Sequence, residues 1–102
     1  MARFVIKLQD QKNTWYLVWS TVVDAPITIG MTSGELRKWW KKEYGDHELI
    51  DFDARIMPHV KAYGHSATYH KGSVEDLITP NRAGPEESNI GISEIINHYC
   101  KR

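Results

Sequence analysis

The stretch that decides the fold is residues 19–45, WSTVVDAPITIGMTSGELRKWWKKEYG. It begins with the end of a β-rich segment, continues through an apolar loop and ends in a strongly marked helix. Thr32 is a hydroxyl-bearing N-cap and Glu35 follows three residues later, which together make a capping box. Gly45 stands at the position where a helix often ends with a glycine in the left-handed conformation. These positions predict a helix over residues 33–44.

Two segments of alternating polarity precede this stretch. Apolar side chains recur at every second position in residues 3–8 and again in residues 14–20, which is the period of a half-buried strand. A polar connection at residues 9–13 separates the two segments. The sequence therefore predicts an antiparallel hairpin over residues 3–20. An isolated hairpin is marginal in water, so other elements must cover its apolar face.

The segment between the hairpin and the helix, residues 21–31, is rich in β-branched apolar residues. Pro26 lacks an N–H group and would interrupt a central strand, so we expect an extended loop that ends near Gly30. The segment is too apolar for a free surface loop. We predict that it is packed against the core, a second subunit or a ligand.

The rest of the chain is predicted to be irregular apart from two short helices. Residues 46–72 are interpreted as a loop-rich middle, in which acidic residues are frequent and Pro58 would break a helix. Ser73 can cap a helix over residues 74–78, and Ser93 can cap a last helix over residues 93–101.

The predicted fold class is therefore α+β. We expect a single domain of residues 1–102, with a small antiparallel sheet packed against two to three short helices.

Composition limits the possible partners. Lysine plus arginine equals aspartate plus glutamate, 13 each, and this balance argues against a protein that coats duplex nucleic acid. The single cysteine excludes an intrachain disulfide. No apolar run approaches the roughly 20 residues of a membrane span, and the N-terminus lacks an apolar signal core. We predict a soluble cytoplasmic protein. The 11 aromatic residues leave open a plain core, a subunit interface or a ligand pocket.

No pattern in the sequence is typical of a catalytic site. Cys100 and His98 are two residues apart, so on a helix they point to different faces. Asp51 and Asp53 share a face at strand spacing, but an exposed acidic patch explains them equally well. The five histidines, combined with these aspartates, suggest a metal-dependent nuclease as one hypothesis, although no metal-ligand spacing is present. We predict no catalytic residue, no metal and no cofactor.

The remaining candidates are rings that can stack on a base and polar groups that can bind phosphates or base edges. Arg37 is the preferred ligand contact within the opening stretch. It belongs to a basic stripe on the predicted helix, completed by Lys38, Lys41 and Lys42, which is either a solvated face or a surface for a phosphate or a partner. The full set of candidates is Trp39, Trp40, Tyr63, Tyr69, Arg37, Arg55, Lys71, Arg82 and Asn81.

The amino-acid sequences of several segments resemble those of one protein family. The segments are residues 19–28, Gly30-Met31-Thr32, Glu43-Tyr44-Gly45, Asp76-Leu77-Ile78, Asn81-Arg82-Ala83-Gly84-Pro85 and residues 92–99. Together they cover most of the chain. They are similar to the phage-encoded Thoeris anti-defence protein 1 family, Tad1.

The resemblance implies a sponge that holds a signal molecule without cleaving it. Members of the family bind cyclic ADP-ribose isomers (gcADPR), and some are described as also binding cyclic oligonucleotides of the CBASS defence system at a separate site. They assemble as homo-oligomers, hexamers in the described cases, with pockets between subunits. By this resemblance Asn81 and Arg82 would contact ligand, and Tyr69 would stack on the adenine. The alternative is a small phage inhibitor that binds a host defence protein directly.

Overall fold

The computed structural model describes residues 3–100, and its centre is a three-stranded antiparallel sheet. In the first two strands Val5 lies opposite Val18 and Phe4 lies opposite Trp19, which confirms the predicted hairpin. The strands stand in the order β1-β2-β3. Their bounds are β1 Arg3–Gln9, β2 Thr14–Ser20 and β3 Ala25–Pro26.

Helices make up much of the remainder, so the α+β class is confirmed. Within residues 3–100 no helix combines the length and apolar character needed to cross a membrane. The helices are α1 Ser33–Tyr44, α2 Asp46–Asp51, α3 Met57–Tyr63, α4 Val74–Ile78 and α5 Ile92–Ile95. Wider π-helical turns follow α2 at Phe52–Ile56 and α5 at Ile96–Cys100, and a short 3-10 turn covers Pro85–Glu87.

The predicted capping box of α1 is confirmed, but the predicted left-handed cap at its C-terminus is not. The Glu35 N–H donates to Thr32 Oγ1 at 3.2 Å, and the Thr32 N–H donates to Glu35 Oε1 at 2.9 Å. Gly45 ends the helix with φ 88° and ψ 175°. The positive φ agrees with the glycine, but this ψ lies outside the left-handed helical region, in a part of φ/ψ space that is nearly restricted to glycine. Ser73 caps α4 as expected, by accepting from the Asp76 N–H.

The expected loop-rich middle is wrong for residues 46–63, which form one helical run. Leu49, Phe52 and Val60 recur at helical spacing and are buried against the sheet, whereas the acidic residues that suggested a loop lie on the exposed side. Pro58 does not break the run, because it lies in the first turn of α3, two residues after the π-helical turn at Phe52–Ile56, and proline is tolerated in a first turn.

The last helix also begins earlier than predicted. Its N-cap is Gly91 and its first residue is Ile92, so Ser93 lies inside the first turn instead of capping it. The predicted end at Lys101 lies outside the described residues. Ile95 and Ile96, at the end of α5 and directly after it, are both buried.

Both faces of the sheet are covered, and each covering layer has its own apolar core. One core packs α1–α3 against the β1 and β2 face that carries Val5 and Val18. The other packs the C-terminal half against the opposite face, which carries Phe4, Ile6 and Trp19. The sheet therefore separates the residues that pack around α1 from the residues that pack around α4 and α5.

The segment over residues 21–31 is anchored by its backbone and by the buried side chains of Pro26 and Met31, but several of its other apolar side chains are exposed. The Ile27 N–H donates to the Val18 carbonyl at 2.8 Å, and Met31 exchanges two backbone hydrogen bonds with Tyr16. Pro26 is buried, as the edge position of β3 allows. Four apolar side chains nevertheless remain exposed, so packing against the chain's own core does not explain them: Val22 (70%), Val23 (44%), Ile27 (39%) and Ile29 (56%).

Two glycines near the ends of α1, Gly34 inside it and Gly45 at its C-cap, give opposite stability predictions. Gly34→Ala is expected to raise the free energy of unfolding by about 0.5–1 kcal/mol, because nothing lies within 4 Å of an added Cβ and alanine favours the helix. Gly45→Ala is expected to lower it by about 1–3 kcal/mol, because an L side chain is strained at that φ and ψ. Urea unfolding measures both variants, and equal effects would contradict this description of the helix ends.

Candidate functional site

The Asn81 side chain is fully used inside the fold. It is 4% exposed. Its two amide hydrogens donate to the carbonyl oxygens of Ile78 and Ile90, both at 2.8 Å. Its amide oxygen accepts from the N–H groups of Ala83 at 3.2 Å and Ile90 at 3.1 Å. A side-chain amide has two donor hydrogens and two lone pairs, so in this arrangement none is left for a ligand. Asn81 organises the loop after α4 instead of reading a base.

Arg82 joins two loops. Its N–H donates to the Asp24 carbonyl at 2.8 Å, its Nη2 donates to the Val22 carbonyl at 3.3 Å, and its Nε lies 3.5 Å from Asp24 Oδ2. The guanidinium remains about half exposed. Arg82 therefore ties the turn before β3 to the loop after α4, and a ligand there would have to compete with Asp24.

Arg37 is bound by a carboxylate. Its Nε and Nη2 donate to the two oxygens of Asp53 at 3.0 and 2.7 Å, which is a bidentate pair between α1 and the π-helical turn. The Arg37 guanidinium holds the pKa of Asp53 below its usual range, mainly through these hydrogen bonds. Both groups are exposed, so the pair contributes little to stability.

Tyr69 is the predicted contact that lies in a cleft. Its ring is 68% exposed. The cleft, of about 660 Å³, lies between β1, the helical run 46–63 and the segment 66–69, and its volume suits a small molecule. Arg37, Asn81 and Arg82 do not line it. Asn81 packs in the core on the opposite face of the sheet from α1, so the four predicted residues do not form one pocket. The cleft is lined by Arg3, Phe4, Trp40, Glu48, Asp51, Arg55, Ile56, Pro58, His59, Ala62, Tyr63, Ser66, Ala67, Thr68 and Tyr69.

One wall of the cleft is a stripe of the helical run that sequence reasoning missed. Glu48, Asp51, Arg55, His59 and Ala62 follow one another at intervals of three or four residues, so they share a helix face. That spacing was visible in the sequence. Pro58 and the acidic residues favour a loop and so obscure this helical spacing.

Four charged residues line the cleft, and they are not equally available. Arg55 Nε and Nη2 contact the two oxygens of Asp51 at 2.5 and 3.0 Å, and this contact lowers the pKa of Asp51. Glu48 is exposed at the rim. Arg3 donates through Nη1 to the Tyr44 hydroxyl at 3.0 Å, and within residues 3–100 no carboxylate lies within ion-pairing distance of it. Arg3 is therefore the cleft cation best placed to take an external anion.

The aromatic groups at the cleft include one unsatisfied donor. Tyr63 is 60% exposed and lies 4.6 Å from the His59 ring, centroid to centroid. The Trp40 ring is buried, 4.7 Å from that of Tyr44. Its indole N–H has no hydrogen-bond acceptor among the described residues, which costs roughly 1–3 kcal/mol for a buried group. The cleft is thus lined by exposed tyrosine rings and by part of Trp40, whose indole N–H is itself buried.

A buried histidine lies behind the cleft wall. The His65 ring is 5.7 Å from His59 and 5.2 Å from His70, between centroids. Burial is the main cause that lowers the pKa of His65, and the charges of its two histidine neighbours act in the same direction. The hydrogen bond to the Gly72 carbonyl opposes them.

The catalytic alternatives gain no support from the described geometry. Asp51 and Asp53 each pair with a different arginine, and both carboxyl pKa values are lowered, which is unfavourable for a general acid. Cys100 is buried, whereas His98 is exposed. Across residues 3–100 no three histidine, cysteine or acidic side chains are grouped so as to hold a metal ion.

In comparisons with known proteins, no family model, curated protein or solved structure matches the chain.

Proposed function

We propose that the protein is a non-catalytic sponge that binds cyclic ADP-ribose isomers in the Arg3–Tyr69 cleft and keeps them from activating their effector. The proposal rests on the resemblance to the Tad1 family and on one structural observation. That observation is a cleft of about 660 Å³ in which Tyr63, Tyr69 and the available cation Arg3 occur together. In this proposal the protein acts in the cytoplasm of an infected bacterium.

The chemistry of the cleft supports a nucleotide over a simple polyanion. Exposed tyrosine rings can stack on a base, and such stacking contributes about 1–3 kcal/mol per base. Arg3 can bind a phosphate oxygen, and the Glu48 carboxylate can accept from an exocyclic amino group. Sequestration requires tight binding and no bond cleavage, and a dissociation constant near 1 nM corresponds to about −12 kcal/mol.

A second copy of the chain is the proposed occupant of the apolar surface formed by Val22, Val23, Ile27 and Ile29. These side chains stand on a segment whose backbone is already fixed by hydrogen bonds to β2, so little ordering is needed on association. The net charge of zero means that copies do not repel one another strongly. A homo-oligomer, hexameric by the family resemblance, would cover this surface.

A thermal-shift panel tests the ligand class. It compares cyclic ADP-ribose isomers with cyclic di- and trinucleotides, the second signal class implied by the resemblance, and uses linear ADP-ribose and AMP as controls. We expect stabilisation by a cyclic ADP-ribose isomer at micromolar concentration, because a ligand that binds only the folded state raises its stability. No shift with any cyclic nucleotide would overturn the proposal.

The same apolar surface also supports the alternative, a direct inhibitor of a host defence protein. The mass of the protein in solution distinguishes the two possible occupants, a second copy of the chain and a host protein. Wild-type protein is expected to be oligomeric, and Val22→Asp with Ile29→Asp is expected to give a monomer. A wild-type monomer that captures one host defence protein from lysate, and does not bind the cyclic nucleotides, would favour the inhibitor.

A further inference from the structure

The segment that carries Tyr69 is held by a row of three histidines. His59 Nδ1 donates to the His65 carbonyl at 2.6 Å, and His70 Nε2 donates to the Ser73 carbonyl at 2.9 Å. The His65 ring lies between the other two rings. The row therefore connects α3, on one side of the cleft, to the segment that precedes α4.

His65 occupies the central position and is fully buried. Its Nδ1 accepts from the Ala67 N–H at 3.2 Å, and its Nε2 donates to the Gly72 carbonyl at 3.1 Å. Both contacts are satisfied together only by the neutral ring with its hydrogen on Nε2. A proton added to Nδ1 would face the Ala67 N–H donor directly, so the ring cannot be protonated without losing this contact.

The backbone around His65 attaches the cleft wall to the sheet. His65 forms a β-bridge with Ile6, the Lys7 N–H donates to the Gly64 carbonyl at 2.9 Å, and the Ser66 N–H donates to the Val5 carbonyl at 3.0 Å. The four residues that follow, 66–69, all line the cleft. The state of the His65 ring is thereby coupled to the position of Tyr69.

We propose that His65 is an acid-sensitive latch: its neutral ring fixes the cleft wall over residues 66–69, and its protonation releases that wall and the ligand bound there. The ligand-release step rests on the proposed function, whereas the loosening of the wall does not. The proton comes from solvent and binds Nδ1, and the contact that is lost is the hydrogen bond from Ala67.

The groups around the His65 ring determine whether its neutral or its protonated form is favoured. His59 faces it from α3 and is itself in contact with Tyr63, His70 faces it from its own segment, and Asp76 of α4 lies beside Gly72 next to His70. On the sheet side Ile6 lies opposite His65, and the charged residue next to it in β1 is Lys7. Charge on either neighbouring histidine, His70 or His59, disfavours charge on the buried His65 ring.

The sign of the pH dependence follows from this environment. The pKa of His65 in the folded chain is lower than the value of about 6.5 in the unfolded chain, so the unfolded state binds more protons between the two values. The stability due to the neutral ring is therefore complete above about pH 6.5 and falls as the pH drops toward the folded-state pKa. Asp51 and Asp53 titrate at lower pH, because their pKa values are lowered.

Amide hydrogen exchange on the wild-type protein tests the latch without a ligand. After correction for the intrinsic rate, we expect protection of the Ala67 amide to fall at least about tenfold between about pH 7.5 and pH 5. Amides in the middle of β1 and β2 are expected to keep their protection. Unchanged protection at Ala67, or equal loss throughout the sheet, would overturn the latch.

Two variants separate the latch from the proposed function. His65→Gln retains an N–H for the Gly72 carbonyl and does not titrate, so its Ala67 protection and its affinity for a cyclic ADP-ribose isomer should vary less than about twofold over this pH range. The matched control His98→Gln, at an exposed position, should behave like wild type. The same pH dependence in His65→Gln and wild type would refute the latch. Failure of every variant to bind the nucleotide, with the exchange result intact, would refute only the proposed function.

Discussion

Replacing Asn81 by alanine is expected to lower the free energy of unfolding by about 3–4 kcal/mol, which is a loss of about 15 °C or more in Tm for a chain of this size. The change removes four buried hydrogen bonds at once. It leaves the carbonyl groups of Ile78 and Ile90, and the N–H groups of Ala83 and Ile90, without their partner. Thermal and urea unfolding measure the effect.

A matched amide in the same loop provides the control. Asn89 donates from Nδ2 to the carbonyl oxygens of Thr79 and Asn81, but it is exposed, so Asn89→Ala is expected to cost about 1 kcal/mol. If Asn81 were a ligand contact, as the sequence indicated, Asn81→Ala would fold normally and lose only binding. A variant with wild-type Tm and no affinity would therefore contradict the structural role given to this residue.

Changes in the cleft are expected to have the largest effect on binding. Tyr69→Ala should weaken binding of a cyclic ADP-ribose isomer by about tenfold or more, because stacking on a base contributes about 1–3 kcal/mol. Arg3→Gln should weaken it by about tenfold, because it removes the cleft cation that forms no ion pair among the described residues. Together the two changes should reduce affinity about a hundredfold, as measured by isothermal titration calorimetry.

Two control variants test whether the loss of binding is specific to the Tyr69 ring and to the cleft. Tyr69→Phe keeps the ring and should bind within about twofold of wild type. Arg37→Gln removes an arginine of similar exposure that is paired with Asp53 and does not line the cleft, so it should also bind within about twofold. A large loss for Arg37→Gln combined with no loss for Arg3→Gln would place the ligand on α1 instead of in the cleft.

The parts of the fold that depend on residues close together in the sequence could be predicted from it. The hairpin was evident from its period of two, and α1 from its capping box, because both depend on residues close together in the sequence. The run over residues 46–63 was missed because Pro58 and the acidic residues outweighed the helical spacing of Leu49, Phe52 and Val60. A wide turn that accommodates a proline has no simple sequence mark.

The site was harder to predict, because it depends on contacts between distant parts of the chain. An Asn-Arg pair between prolines suggests a rigid binding loop, but the rigidity comes from Asn81 itself, through Ile90 nine residues later. Arg3 was assigned only to a strand, since nothing local places it beside Tyr63 and Tyr69. The resemblance led to Tyr69, which does line a cleft, but its role as a ligand contact remains a prediction.

The central claim is capture without cleavage, and release of the captured molecule tests it most directly. Purified protein is incubated with a cyclic ADP-ribose isomer, freed of unbound ligand by gel filtration and denatured by heat, and the released material is separated by chromatography. The account predicts that wild type releases intact cyclic nucleotide, and that Tyr69→Ala with Arg3→Gln releases less than about a tenth as much. Release of a hydrolysed product, or of no nucleotide from wild type, would contradict it.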